Sequence, residues 1–170
     1  MRVTITKKRL VLAAIATMVP AVLAGVSLAT PGSGAVGTIH ARANFTEPVD
    51  IKFKVQEGQI QEVIHVPNAK ETVMQQIVIA PGGTTGWHSH PGPAVALVKT
   101  GELTLNSSED TTCTPHTFSA GQAFVDSGQG HVHIARNLTQ NPVEVWVTYF
   151  DVPPGGSVRI DAPAPANCGF

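Results

Sequence analysis

Strict alternation of apolar and polar residues is the feature that most narrows what this chain can become. Val49, Ile51, Phe53 and Val55 are apolar, and Asp50, Lys52 and Lys54 between them are charged. The pattern returns far downstream, where Val143, Val145, Val147 and Tyr149 alternate with Glu144, Trp146 and Thr148. In an extended chain successive side chains point to opposite faces, so each stretch reads as a strand with one face in a core. Between them, runs at 59–66, 72–80, 94–99, 102–106 and 118–125 have strand character, and Glu57-Gly58, Pro67-Asn68, Pro81-Gly82-Gly83, Thr100-Gly101 and the glycine-rich 126–130 cut them apart. After the first thirty residues no helical period is sustained. About eight to ten short strands at regular spacing predict an all-β chain, a sandwich or barrel of the jelly-roll kind. With 16 glycines, 13 prolines and an aromatic share of 5% in 170 residues, the composition likewise favours turns over helices.

The amino-terminal segment follows a different rule. Arg2, Lys7, Lys8 and Arg9 precede an uncharged apolar run from Leu10 to Ala29 that ends in the small-x-small triplet Ser27-Leu28-Ala29. Residues 1–29 therefore read as an export signal, with a retained membrane anchor as the alternative. There is no Arg-Arg pair, which favours the general secretory route, and in either case the remainder is expected to be secreted or extracytoplasmic. Residues 30–48 read as a flexible lead-in, 49–152 as the barrel, and 153–170 as a proline- and glycine-rich tail crossing the surface. Beyond residue 29 there are seven basic and twelve acidic side chains, a net charge of −5. A mildly acidic domain without a basic patch is a poor fit to nucleic acid.

Chemistry concentrates in two short motifs. His88 and His90 stand two apart after a glycine-rich turn, and His131 and His133 repeat the spacing downstream. On a strand each pair shares a face, and clustered neutral imidazoles are ligands for a divalent transition metal. His40, His65 and His116 stand alone and read as surface or structural residues. No nucleophile-base pair, phosphate loop or dinucleotide fingerprint is present.

At these histidines the chain resembles the cupins. Gly82, His88, His90 and Gly101 keep the spacing of the first cupin motif, with Ala94 where the family carries glutamate. Gly130, His133 and Asn137 keep the second half of the other motif, whereas Gly121 sits one residue upstream of its place and Gly128 replaces a proline. The resemblance spans about Val73 to Phe150 and implies a single double-stranded β-helix. It also implies a metal held by His88, His90 and His133, with His131 as a possible fourth ligand. Neither Glu102 nor Asp126 is expected to ligate. Iron, manganese, zinc, copper and nickel all remain open. Such a site would serve a small organic molecule, either as a metal-dependent dioxygenase or as a non-catalytic binding or sensing module. Trp87, Phe124, Trp146 and Tyr149 are candidates for the pocket lining, and pairing of sheet edges such as Val49 to Val55 makes a homodimer an expectation.

Cys113 and Cys168 are the only cysteines and follow an export signal, so they are expected to form a disulfide that staples the tail to the barrel. Asn-x-Ser/Thr triplets begin at Asn44, Asn106 and Asn137, and no role is assigned to them.

Overall fold

The computed structural model describes residues 29–57 and 60–170. Within them the chain forms twelve strands and no helix. The first six are β1 (Ser33–Asn44), β2 (Ile51–Glu57), β3 (Ile60–Val66), β4 (Glu71–Thr84), β5 (His88–Ser89) and β6 (Ala94–Thr100). They are followed by β7 (Glu102–Ser107), β8 (His116–Ser119), β9 (Ala123–Asp126), β10 (His133–Arg136), β11 (Val143–Val152) and β12 (Ile160–Asp161). Ten strands make one antiparallel sheet in the order β12-β5-β10-β4-β11-β6-β9, with β1 added on β4 and with β7 joining β10 to β8. This sheet curls into a nearly closed barrel, while β2 and β3 pair as a separate hairpin.

The alternation in the sequence becomes the inside and outside of the barrel. Val143, Val145, Val147 and Tyr149 on β11 are buried together with Val73 and Ile79 on β4, Ala96 and Val98 on β6, and Leu103 on β7. Burying each of the larger side chains contributes roughly 1.5–3 kcal/mol relative to leaving it exposed. Asn137, fully buried, ties the hairpin after β10 to the barrel by donating to the Ile79 and Asn141 carbonyls at 2.9 and 2.8 Å.

Three sequence expectations need correction. The lead-in is not loose chain, because Ser33–Asn44 forms β1 and pairs with β4 along its length. The run 118–125 is broken at Gly121, which has φ +87° and separates β8 from β9. The tail does not merely cross the surface: Val158, Ala162 and Cys168 are buried, and β12 pairs with β5. Its start is held by Arg42, which pairs with Glu71 and donates to the Gly156 carbonyl at 3.0 Å. Its end is held by the disulfide between Cys113 and Cys168, 55 residues apart in sequence. No helix among the described residues is long and apolar enough to cross a membrane, and the export or anchor reading of residues 1–29 falls almost wholly outside them.

Candidate metal centre

The first two imidazoles are aimed by the turn in front of them. Gly86 has φ +70°, and a side chain there would run into the Thr30 carbonyl, so only glycine lets the chain bend this sharply into β5. The Gly86 carbonyl then accepts from His88 Nδ1 at 2.9 Å. His90 Nδ1 donates to the Val158 carbonyl in the tail at 2.6 Å. A carbonyl can only accept, so both rings carry their proton on Nδ1 and leave the Nε2 lone pair free.

His133 opens β10 and sits across from His88 in the antiparallel register. Its Nδ1 lies 2.9 Å from Asp126 Oδ2, off the line needed for a straight hydrogen bond. The three rings converge, with centroids 4.9 Å apart for His88 and His90, 4.4 Å for His88 and His133, and 5.1 Å for His90 and His133. One nitrogen from each falls within 4.8 Å of the others, and the three residues are only 5%, 5% and 6% exposed.

This burial governs protonation. It pushes His88 down to about 2, with positive charge on His133, His90 and Arg159 adding to the effect. It pushes His90 down to about 4, again aided by His133 and opposed by Asp126 and the Val158 carbonyl. For Asp126 burial is the largest single influence and acts upwards, yet His133, His90 and the Gly128 N–H together outweigh it and hold the carboxyl at about 2. At neutral pH His88 and His90 are therefore uncharged beside an ionised Asp126. The Tyr149 ring lies tilted with its centroid 4.9 Å from that of His90, its hydroxyl donates to Gln75 Oε1 at 2.9 Å, and its pKa is raised above the ordinary value by burial and then by Asp126.

Asp126 was expected to stay outside the ligand set; the structure places its carboxylate beside His133, next to the three-imidazole cluster. Its partner across the β6–β9 pair is Ala94, the position where the resemblance calls for glutamate. A carboxylate thus reaches the site from the neighbouring strand, touching the outer nitrogen of an imidazole in place of the metal position. Gly128 makes that possible: with φ +59° it takes a conformation closed to proline, and its N–H donates to Asp126 Oδ1 at 2.8 Å.

His131 does not join the cluster. It lies in the turn before β10, where period-two logic fails, with Nδ1 3.2 Å from Glu109 and Nε2 3.8 Å from Glu62. Of the other single histidines, His40 stacks on Trp146 outside the barrel, and His65 is exposed. His116 lines a cavity of about 580 Å³ with Glu62, Phe124, Asp126, His131 and His133. A second cavity, about 300 Å³, lies over His88 and His90 and is lined also by Gln75, Tyr149, Val158 and Arg159. Among the aromatic candidates, Tyr149 and Phe124 therefore face cavities beside the cluster. Trp87 is buried against Ile134 and Cys168, and Trp146 lies on an outer groove with Leu97. The contributions of Gln75, Val158 and Arg159 escaped the sequence reading, although Arg159 is the only cation after residue 136.

The donor set fits a metal ion. Three buried imidazoles converge, a backbone carbonyl accepts from the outer nitrogen of His88 and of His90, and the Asp126 carboxylate lies beside that of His133, as in protein sites for divalent transition ions.

Residues 75–152 match the family model described as the cupin domain. No curated protein matches the chain. Among solved structures, an oxalate oxidase is 28% identical with a TM-score of 0.41, covering 47% of this chain and 41% of its own. This chain thus spans about two fifths of that protein. The cupin domain of an XRE family transcriptional regulator from Enterobacter cloacae is 23% identical with a TM-score of 0.39, covering 48% and 82%. The polyketide cyclase RemF from Streptomyces resistomycificus is 16% identical with a TM-score of 0.45, covering 56% and 63%.

Proposed function

Residues 75–152 form a cupin domain, and on that premise we propose that His88, His90 and His133 hold one divalent transition metal. The carrying observation is the convergence of three buried imidazole nitrogens within 4.8 Å of one another. Three protein ligands leave positions open on such an ion, and the cavity over His88 and His90 gives a small organic molecule access to them. The bound ion would supply Lewis acidity and, if redox-active, a route to dioxygen chemistry. The chain's own part is to keep His88 and His90 neutral, to orient the three imidazoles, to exclude bulk water, and to place a carboxylate beside His133.

The reading is a small exported metalloprotein that acts on its ligand as a dioxygenase, with non-catalytic sensing as the alternative outcome. Export rests on the leader-like residues 1–29 and agrees with the disulfide, which persists in oxidising compartments. A homodimer through a sheet edge such as Val49 to Val55 belongs to the same reading. Metal content of the exported protein by plasma mass spectrometry tests the site: one equivalent is expected, and none after reloading with each metal in turn would end the proposal. Oxygen uptake against small diketones, phenols and organic acids then separates an enzyme from a binding module.

A further inference from the structure

The cavity over His88 and His90 carries a cation that the metal does not need. Arg159 lines it, and its charge is felt at His88, His90 and Tyr149 alike. The Nε edge is taken by Asp161 Oδ1 at 2.5 Å, which leaves the two terminal amino groups of the fork as donors. Gln75 stands in the same lining with its Oε1 already accepting from Tyr149, so its amide also presents N–H groups. Gly37, on the facing strand, packs so closely on the Gln75 amide that any side chain there would displace it.

A count of charges gives the second line of argument. Imidazole ligands bring no charge of their own, so a divalent ion held by them would keep its full charge, because Ala94 supplies no carboxylate. Arg159 adds one more positive charge. Against these stand Asp126 behind His133 and Asp161, whose side chain is 58% exposed and therefore screened by water. The cavity keeps a net positive charge, and beside the Thr85 and Tyr149 hydroxyls its wall offers the N–H groups of Arg159 and Gln75 and apolar surface.

On the metal reading above, we propose that this cavity binds a small carboxylic acid, with Arg159 and Gln75 receiving its carboxylate. A guanidinium fork matches a carboxylate in plane and spacing and forms charge-assisted hydrogen bonds that an amide or alcohol cannot replace. At about 300 Å³ the cavity is at the lower end of ligand pockets, which limits the acid to a small one.

The test titrates the metal-loaded protein with acetate, lactate and malonate, with lactamide as the neutral counterpart of lactate and inorganic phosphate as the competing anion. Calorimetry reads the affinity, and Co²⁺ absorption reads the metal's surroundings. The acids are expected to bind and lactamide not, with Arg159→Gln weakening the acids by roughly tenfold to a hundredfold and Arg159→Lys falling between. Metal stoichiometry serves as the fold check on both variants. The same titration of metal-free protein should keep the Arg159 dependence at lower affinity, so a failure to hold metal and a failure of this proposal are read separately. Equal affinity for lactate and lactamide, tighter binding of phosphate than of any acid, or an Arg159→Gln variant that binds acids like the parent would overturn it.

Discussion

Asp126 reaches the imidazole cluster from β9, opposite Ala94, whose methyl group offers no ligand atom. Its carboxylate lies 2.9 Å from His133 Nδ1 without a straight hydrogen bond, so it acts on that ring chiefly through its charge. Asp126→Asn keeps the size and removes the charge, and should weaken metal binding by roughly tenfold to a hundredfold in chelator competition. His131→Gln should leave that affinity unchanged, because His131 faces Glu109 and Glu62 instead of the cluster. The same residues set a pH dependence in metal-free protein. His88 and His90 stay neutral when folded, held to about 2 and about 4, while in the unfolded chain they take up protons below the ordinary histidine value. The unfolded state then binds more protons, so stability falls as pH drops from about 6.5, by about 1.4 kcal/mol per pH unit for each histidine. For His90 the decline ends near its folded value of about 4, and for His88 it continues lower. Asp126 acts in the same direction, since its stabilisation is present above the unfolded carboxyl value and is lost as pH falls towards about 2. Urea titrations of chelator-treated protein between pH 7 and pH 4 check the slope, and a flat profile would contradict buried neutral imidazoles.

Among the elements, the two that the sequence reading undervalued are β1 and the tail. All but one residue of β1 are exposed, so no period-two pattern marks it, and its order comes chiefly from its ladder with β4. The tail hides in the same way, because proline and glycine punctuation masks three buried positions and a strand of two residues. Yet this tail supplies the Val158 carbonyl to His90 and the Arg159 side chain to the cavity. The disulfide at Cys168 closes its far end onto Cys113, with the two Cα atoms 5.4 Å apart. In the chain-entropy view, closing a loop of that length stabilises the fold by about 4 kcal/mol. Reduction, or Cys113→Ser with Cys168→Ser, should therefore lower the denaturant midpoint. It should also weaken metal binding, because His90 loses a firmly held acceptor. Chelator competition on oxidised and reduced protein reads the second effect, and equal affinities would show that the tail's start at Arg42 and Glu71 suffices to hold Val158 in place.

For the whole molecule, the all-β class and the positions of His88, His90 and His133 were legible because both depend on local rules: alternation, turn residues and the spacing of ligands along a strand. The parts that were not legible depend on pairing between distant segments, as with Asp126 opposite Ala94 and Val158 behind His90. Those distant pairings bear on how the fold and the metal are coupled. His88 and His133 lie on two strands of a ten-stranded sheet, His90 directly follows one of them, and the outer nitrogens of His88 and His90 are held by backbone carbonyls, so the barrel itself assembles the site. The core of Val73, Ile79, Val98, Leu103 and Val143 lies on other strands and does not depend on the ion. Chelator-treated protein should therefore keep its far-ultraviolet spectrum and unfold cooperatively, unlike a zinc finger, which is unfolded without metal. Adding the metal should raise stability by mass action, about 2.7 kcal/mol at a hundred times the dissociation constant. For a chain of this size that corresponds to a rise in melting temperature of roughly 5–11 °C. Scanning calorimetry with and without metal checks both halves of the argument. A chelator-treated protein that has lost its cooperative transition would mean that the ion, and not the barrel, brings the three imidazoles together.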